Sequence, residues 1–584
     1  MIAFCVCQCF ILVAICCVSG NADVHSAVTK LNQLAQFEAD LVRGLQDYIR
    51  KEKTWIERLP ILQDIERFLS TRATREANSI DRQYAENPIN AFHLVRNIYK
   101  NREIIRKICE DTEIKYCCND NSEKCTRWAE NGECSKNPDF MLVKCKRSCN
   151  ACSKETNSTN QFRYYWDEVT EEDVSSTASA LVRLWRTYNL NIDELIKGNI
   201  LNEVTSPLTP DDVFDILKVA GDEGLYESQI LWTEAFLRQV MNIDSVENGT
   251  IKFVDIYRIL AQAYFKKSMP WRVAELLIQR SYKDEDEDLI EALEKFNENA
   301  SEIQHTLTQR STVSEADVPH KYHYEALCRG AVIRHISVTS RLKCYLRDTI
   351  IPFYKGKEEV LNFDPRLSIF YDVIHESELR ETQTSAVKFL HRSRTVGEEA
   401  GDPNYTIIKI RQSQTAWMSD EEYPFIRKLS KRVEIITGLS TSQLETVYHA
   451  EPMQVVNYGI GGMYEAHKDY LECPLSELKV RDLDPVELQG SGDRLATWLF
   501  YLSDVKAGGA TVFTKLNVTV PVTKGAAAFW YNINRVGAID ERTEHAGCPV
   551  LLGSKWVANK WIRETGQVFR RPCGKTIDDI DNPF

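Results

Sequence analysis

Beyond its first twenty residues the chain has no apolar run long enough to cross a bilayer, so no membrane span is expected after signal removal. A basic excess is also missing. The 72 Lys and Arg stand against 85 Asp and Glu, a formal net charge of -13, and no strongly basic tract occurs. That balance excludes a general nucleic-acid binder, whose affinity rests on clustered cations, and leaves solubility as the plain reading of the acidity. Histidine is scarce, at 11 in 584 residues. None lies between Cys117 and Cys152, which favours disulfides over a zinc site in that cysteine-rich stretch, and His545 is the only histidine after Asp469. A chain of this length should fold as roughly three or four domains.

What is present begins with residues 1–20, an apolar run ending in Ser19-Gly20 that reads as a secretory signal peptide cleaved near Gly20. A retained anchor is the competing reading, disfavoured because the run is short and interrupted by Gln8. Five of the 18 cysteines leave with it, and the other thirteen suit disulfides in an oxidising lumen. Sequons at Asn157, Asn248, Asn299, Asn404 and Asn517 fit N-glycosylation in the same compartment.

Residues 21–112 read as an N-terminal helical domain. Leu31, Leu34, Leu41, Leu45 and Tyr48 recur in steps of three and four, giving a helix with a coiled-coil-like seam. Self-association through that seam is one reading; ordinary packing within its own domain is the other, since Glu38 interrupts it. Residues 117–152 are cysteine-rich with little apolar material, so they need disulfide staples. Cys118, Cys125, Cys134, Cys145, Cys149 and Cys152, with Trp128, Gly132 and Met141 between them, resemble the ShK toxin-like module. Six cysteines allow fifteen pairings. The resemblance implies Cys118 with Cys152, Cys125 with Cys145 and Cys134 with Cys149.

Residues 161–282 return to short helices joined by turns such as Gly221-Asp222-Glu223-Gly224, the pattern of a tetratricopeptide-like helical domain. Such arrays present an aromatic groove suited to a Pro-rich peptide, and Tyr226 and Tyr264 are its candidates here, against the plain reading that they pack. Residues 283–360 read as a polar linker opening on the acidic run 283–288. From about Leu361 the segments 453–458, 496–502, 526–531 and 555–562 alternate as strands, with turns at Gly508-Gly509 and Lys524-Gly525. An antiparallel jelly roll, or double-stranded β-helix, is expected, so the fold class is multidomain α+β.

Within that region lies Tyr464-Glu465-Ala466-His467-Lys468-Asp469-Tyr470. In a strand His467 and Asp469 project to one side, and an imidazole with a carboxylate suits a first-row divalent ion. His-x-Asp alone is weak, because short motifs recur by chance. His545 supplies a third ligand and completes a two-histidine, one-carboxylate triad. Ten residues on, the ammonium of Lys555 could pair with the far carboxylate of a dicarboxylic cosubstrate.

Residues 361–573 resemble the catalytic domain of the collagen prolyl 4-hydroxylase α subunit, in the stretches Gly492 to Tyr501, Ala507 to Phe513 and Phe569-Arg570-Arg571-Pro572-Cys573. The helical regions look like that family's dimerisation and peptide-binding domains. The resemblance implies that His467, Asp469 and His545 bind Fe(II), that Lys555 holds the distal carboxylate of 2-oxoglutarate, and that Tyr458 and Thr511 support it. A lysine where related oxygenases often use arginine favours prolyl over lysyl hydroxylation. The family pattern also pairs Cys328 with Cys344 and Cys548 with Cys573, leaves Cys109 and Cys117 for a further bridge, and leaves Cys473 free. O2 and L-ascorbate complete the implied cofactors, and protein disulfide isomerase is the implied β subunit. That partner would supply lumenal retention, since the tail 574–584 carries no signal for it.

Met463, Ala466 and Lys468 depart from the family's Gln, Pro and Phe, and none is a ligand. Gly221, Leu225 and Ala261 stand where the groove tends to have tyrosines, which removes stacking surface for proline. The expected activity is 4-hydroxylation of proline in collagen-like sequences in the endoplasmic reticulum lumen. The alternatives are a hydroxylase of another Pro-rich secreted protein and a catalytically silent peptide-binding or scaffolding subunit.

Overall fold

The computed structural model describes residues 28–52, 84–111, 124–137, 169–240, 253–269, 319–393, 411–443, 448–470 and 491–576, with Met141, Cys145, Ser148, Cys149 and Arg272. The expected signal, the Cys118–Cys152 pair, Cys117, Cys473, four sequons and the tail beyond 576 lie outside the described residues.

The N-terminal half is helical: α1 (Val28–Glu52), α2 (Pro88–Asp111), α3 (Glu171–Tyr188), α4 (Pro210–Asp222), α5 (Tyr226–Val240) and α6 (Phe253–Lys266). Local chemistry sets these boundaries. Thr170 and Asp173 form a capping box at the start of α3, as do Thr209 and Asp212 at α4, where Pro210 takes the first turn. The α4–α5 turn falls at Glu223-Gly224, with Gly224 at φ +73°.

Leu31, Leu34, Leu41 and Leu45 of α1 are all buried in a core shared with Ile89, Phe92 and Ile105 of α2. The seam read as a self-association surface is therefore covered by the chain itself. Glu38, which interrupts it, accepts a hydrogen bond from Asn97 of α2 at 2.6 Å, so the polar residue is satisfied inside the helix pair. In the cysteine-rich segment Cys125–Cys145 and Cys134–Cys149 are both formed, around buried Met141.

The C-terminal half opens with α7 (Pro319–Cys328) and continues through β1 (Cys344–Asp348), β2 (Lys355–Asn362), β3 (Leu367–Tyr371), α8 (Glu376–Ala386), β4 (His391–Arg392), β5 (Gln414–Met418), α9 (Pro424–Thr437) and β6 (Met453–Tyr458). Then come β7 (Tyr464–His467), β8 (Arg494–Tyr501), β9 (Ala507–Gly508), β10 (Thr511–Phe513), β11 (Val518–Val520), β12 (Ala527–Tyr531), β13 (His545–Gly547), β14 (Val550–Leu552) and β15 (Lys555–Arg563). Nine strands make one sheet in the order β1-β2-β3-β12-β8-β15-β6-β5-β4, and four make a second, β11-β10-β13-β7. Every pairing is antiparallel.

Alternation along β8 explains the layering. Trp498 and Phe500 join Leu379, Ile426 and Leu429 of α8 and α9 on one face, while Leu499 and Tyr501 join Phe513, Val518 and Val520 of the smaller sheet on the other.

This sheet corrects the expected linker. Residues 319–360 are folded into the C-terminal half, and the first strand begins at Cys344 rather than near Leu361. The expected Cys328–Cys344 and Cys548–Cys573 pairs are not formed either; Cys328 bonds Cys548, and Cys344 and Cys573 are exposed and free. The end of α7 packs on the smaller sheet, where Leu327 and Cys328 share a small core with Val512, Ala546 and Cys548. Cys344 instead starts the outermost strand of the larger sheet.

Candidate metal centre

β7 and β13 lie side by side in the smaller sheet, in a register that sets His467 opposite His545. β7 ends at His467, and Asp469 follows just past it. The three side chains converge: Asp469 Oδ1 is 3.9 Å from His467 Nε2, and its Oδ2 is 3.8 Å from His545 Nε2. Two ligands each about 2.1 Å from one ion can be no more than about 4.2 Å apart, so both distances suit a shared ion. Among the described residues this is the one His/Cys/Asp/Glu cluster with such geometry.

The surroundings prepare the donors. His467 Nδ1 hydrogen-bonds the carbonyl of Glu465 at 2.7 Å, and His545 Nδ1 that of Thr543 at 3.0 Å. Each bond places the proton on Nδ1 and leaves the Nε2 lone pair facing the cluster. Burial, then the neighbouring His545, lowers the His467 pKa and keeps its ring neutral, as a ligand must be. Burial alone would raise Asp469, but His545, His467 and Arg494 together hold it below the usual carboxylate range. Thr497 donates to Asp469 Oδ2 at 2.6 Å, and Arg494 to its backbone carbonyl at 3.3 Å. Tyr464 stacks on His467 with ring centroids 3.5 Å apart, and Phe513 and Trp530 flank His545.

Lys555 begins β15 opposite Tyr458 of β6, and its Nζ sits 5.3 Å from that ring. Burial lowers its pKa to about 7. Lys555 shares the inner face of the sheet with Val557, beside Tyr501, whose hydroxyl donates to Thr511 Oγ1 at 3.1 Å. Tyr458, Thr511 and Lys555 thus come from three strands to one inter-sheet space, and the Tyr458 phenol feels the charge of Asp469. A buried lysine against the Tyr458 ring, near two imidazoles and a carboxylate, can receive a dicarboxylate on one side and a metal on the other.

The groove candidates fare differently. Tyr264 is a core residue, 5% exposed, with its hydroxyl donated to Glu234, so its ring is not available for stacking. Tyr226 is half-buried at the start of α5. Ala261 is fully buried, and a Cβ on Gly221 would meet the Gln229 side chain at 2.5 Å. Asn517, in the β10–β11 turn, is the one sequon described, at φ +56° and half-buried.

Thr497, Arg494 and Tyr501 were not singled out from sequence, although all three lie in the Gly492 to Tyr501 stretch that carried the family resemblance; Tyr464 opens the His-x-Asp stretch, where no role was read for its ring.

Comparison with known proteins follows the same division. Residues 453–563 match the 2OG-Fe(II) oxygenase superfamily, 27–122 the prolyl 4-hydroxylase alpha-subunit N-terminal region, and 116–152 an ShK domain-like model. The chain is 31% identical to prolyl 4-hydroxylase subunit alpha-2 of Gallus gallus, covering 96% of this chain and 97% of that one. It is 32% identical to subunit alpha-1 of Homo sapiens over the same shares. Among solved structures, a viral collagen prolyl hydroxylase from Paramecium bursaria Chlorella virus-1 in its 2OG complex is 25% identical; the match covers 34% of this chain and 95% of that one, at a TM-score of 0.25.

Proposed function

The chain belongs to the prolyl 4-hydroxylase alpha-subunit family, and on that premise we propose that it 4-hydroxylates proline in collagen-like sequences of secretory-pathway substrates. The carrying observation is the convergence of His467, Asp469 and His545, with Lys555 buried against the Tyr458 ring on the same inner face of the sheet. The enzyme is a dioxygenase dependent on Fe(II), 2-oxoglutarate and O2. Bound together, these supply the oxidation of prolyl C4 and the decarboxylation of 2-oxoglutarate to succinate.

The protein's own part is binding and orientation. His467 and His545 present Nε2 because their Nδ1 protons are committed to backbone carbonyls, and Thr497 fixes which way Asp469 points. Lys555 neutralises the distal carboxylate of 2-oxoglutarate, with Tyr458 and Thr511 around it. Phe513, Trp530 and Tyr464 exclude water from the reacting groups. The two sheets with their facing inner surfaces support a jelly-roll reading of the catalytic domain. The α3–α6 array supports a tetratricopeptide-like, peptide-docking role. L-ascorbate as a reductant, protein disulfide isomerase as β subunit, signal cleavage near Gly20, lumenal retention and N-glycosylation belong to the same proposal.

One observation favours a second substrate reading. With Tyr264 and Ala261 buried and the Gly221 position filled by Gln229, the helical array offers little aromatic surface to a long proline helix. Hydroxylation of another Pro-rich secreted protein uses the same centre without that groove. Mass spectrometry of collagen-like and non-collagen proline peptides after incubation separates the two. Conversion of collagen-like peptides supports the first, and conversion of only the others supports the second. No peptide-dependent succinate from an iron-loaded preparation would leave a scaffolding subunit.

A further inference from the structure

The helical half reaches both strands that carry the metal cluster. Arg183, in the second half of α3, donates from Nη1 to the carbonyl of Gly461 at 2.8 Å and to Gln412 Oε1. Gln412 in turn donates its backbone N–H to the carbonyl of Met463 at 2.9 Å, the residue before β7. Gly461 has φ +67°, and a Cβ on it would stand 2.6 Å from Ala180 Cβ, so α3 is seated directly on the loop leading into β7. Behind the guanidinium, Ser179 donates to the carboxylate of Glu223, which caps α4. At its C-terminal end α3 meets the second strand: Tyr188 donates to the carbonyl of Pro549, two residues beyond β13. Tyr324 of α7 reaches the Gly547 carbonyl at 3.4 Å, and Arg186 ties α3 to α7 through Glu325 at 3.2 Å.

We propose that Arg183 is a positioning residue for the metal centre. By holding Gly461 and Gln412 it fixes the approach of β7, and with it the Tyr464 ring that lies on His467. The link from Glu223 through Ser179 and Arg183 makes the packing of the helical array felt at the cluster. This rests on the reading of His467, Asp469 and His545 as ligands. Two glycines in succession, Gly461 and Gly462, give the loop a freedom that an outside anchor must remove.

The test uses the full-length protein in its natural assembly and titrates Mn(II), a divalent probe that needs no turnover. Arg183→Met should weaken Mn(II) binding by about tenfold, as loss of an outer support typically does, and lower kcat while the peptide KM stays near wild type. Arg183→Lys should recover part of the loss, and Lys197→Ala, outside the interface, should change nothing. Should Arg183→Met fail to fold, Gln412→Leu removes the other side of the contact and must show the same weakening. Folded variants that bind Mn(II) like wild type overturn the proposal. Mn(II) binding that survives His545→Ala would instead overturn the ligand reading beneath it.

Discussion

Thr497 is the residue whose loss should be felt first at the cluster. Its hydroxyl donates to Asp469 at 2.6 Å and accepts from Asn532 at 3.0 Å. Thr497→Val keeps the shape and removes the donor, so metal affinity should fall by about tenfold or more with the fold intact; an unchanged Mn(II) isotherm would contradict this. Lys555 makes a pH-dependent prediction. Burial lowers its pKa to about 7, and a bound dicarboxylate favours the charged form. The sign follows: 2-oxoglutarate affinity should be greatest below pH 7 and fall by up to about tenfold per unit above it. Binding at pH 8 should take up a proton, measured by calorimetry in buffers of different ionisation heat. His467 and Asp469 were legible because a His-x-Asp spacing in a strand-like run brings the two side chains together, although β7 ends at His467 and Asp469 follows it, and His545 because no other histidine follows Asp469. Thr497 was not, because its role exists only once β8 lies against a residue 28 positions upstream.

Between elements, Asp212 is the joint of the helical half. It closes the capping box of α4 and its carboxylate lies 3.2 Å from His93 Nε2 and 3.0 Å from Arg96 Nη1, both on α2. Burial alone would raise its pKa, yet the His93 hydrogen bond and the charges of His93 and Arg96 hold it well below the ordinary range. Removing one partner of a buried pair costs about 3–5 kcal/mol, so Asp212→Ala should lower stability by that order in denaturant unfolding. A depressed carboxylate contributes above its unfolded value. The carboxylate's share of the deficit should therefore be present above about pH 4 and shrink below it. The helices were legible from their apolar periodicity. β1 and β2 were not: β1 is an edge strand whose residues are nearly all exposed, so it lacks the alternation that burial on one face imposes.

At the scale of the molecule, the halves are not beads on a string. The helical core includes Ile460, Leu551 and Leu552 from the C-terminal half. The Cys328–Cys548 bond spans 220 residues of sequence within the C-terminal half and fastens α7 to the smaller sheet. Peptide mapping without reduction should find Cys328 joined to Cys548 and Cys344 and Cys573 alkylatable; a Cys328–Cys344 fragment would contradict the structure. Cysteine spacing could not reveal this pairing, because it depends on where α7 docks. Proline hydroxylation at the His467, Asp469 and His545 centre is tested by one assay: the purified protein with its partner, Fe(II), 2-oxoglutarate and a (Pro-Pro-Gly)-type peptide, read by mass spectrometry beside His545→Ala. The wild type should form 4-hydroxyproline with matching succinate, and the variant neither. Equal hydroxylation by both would contradict it.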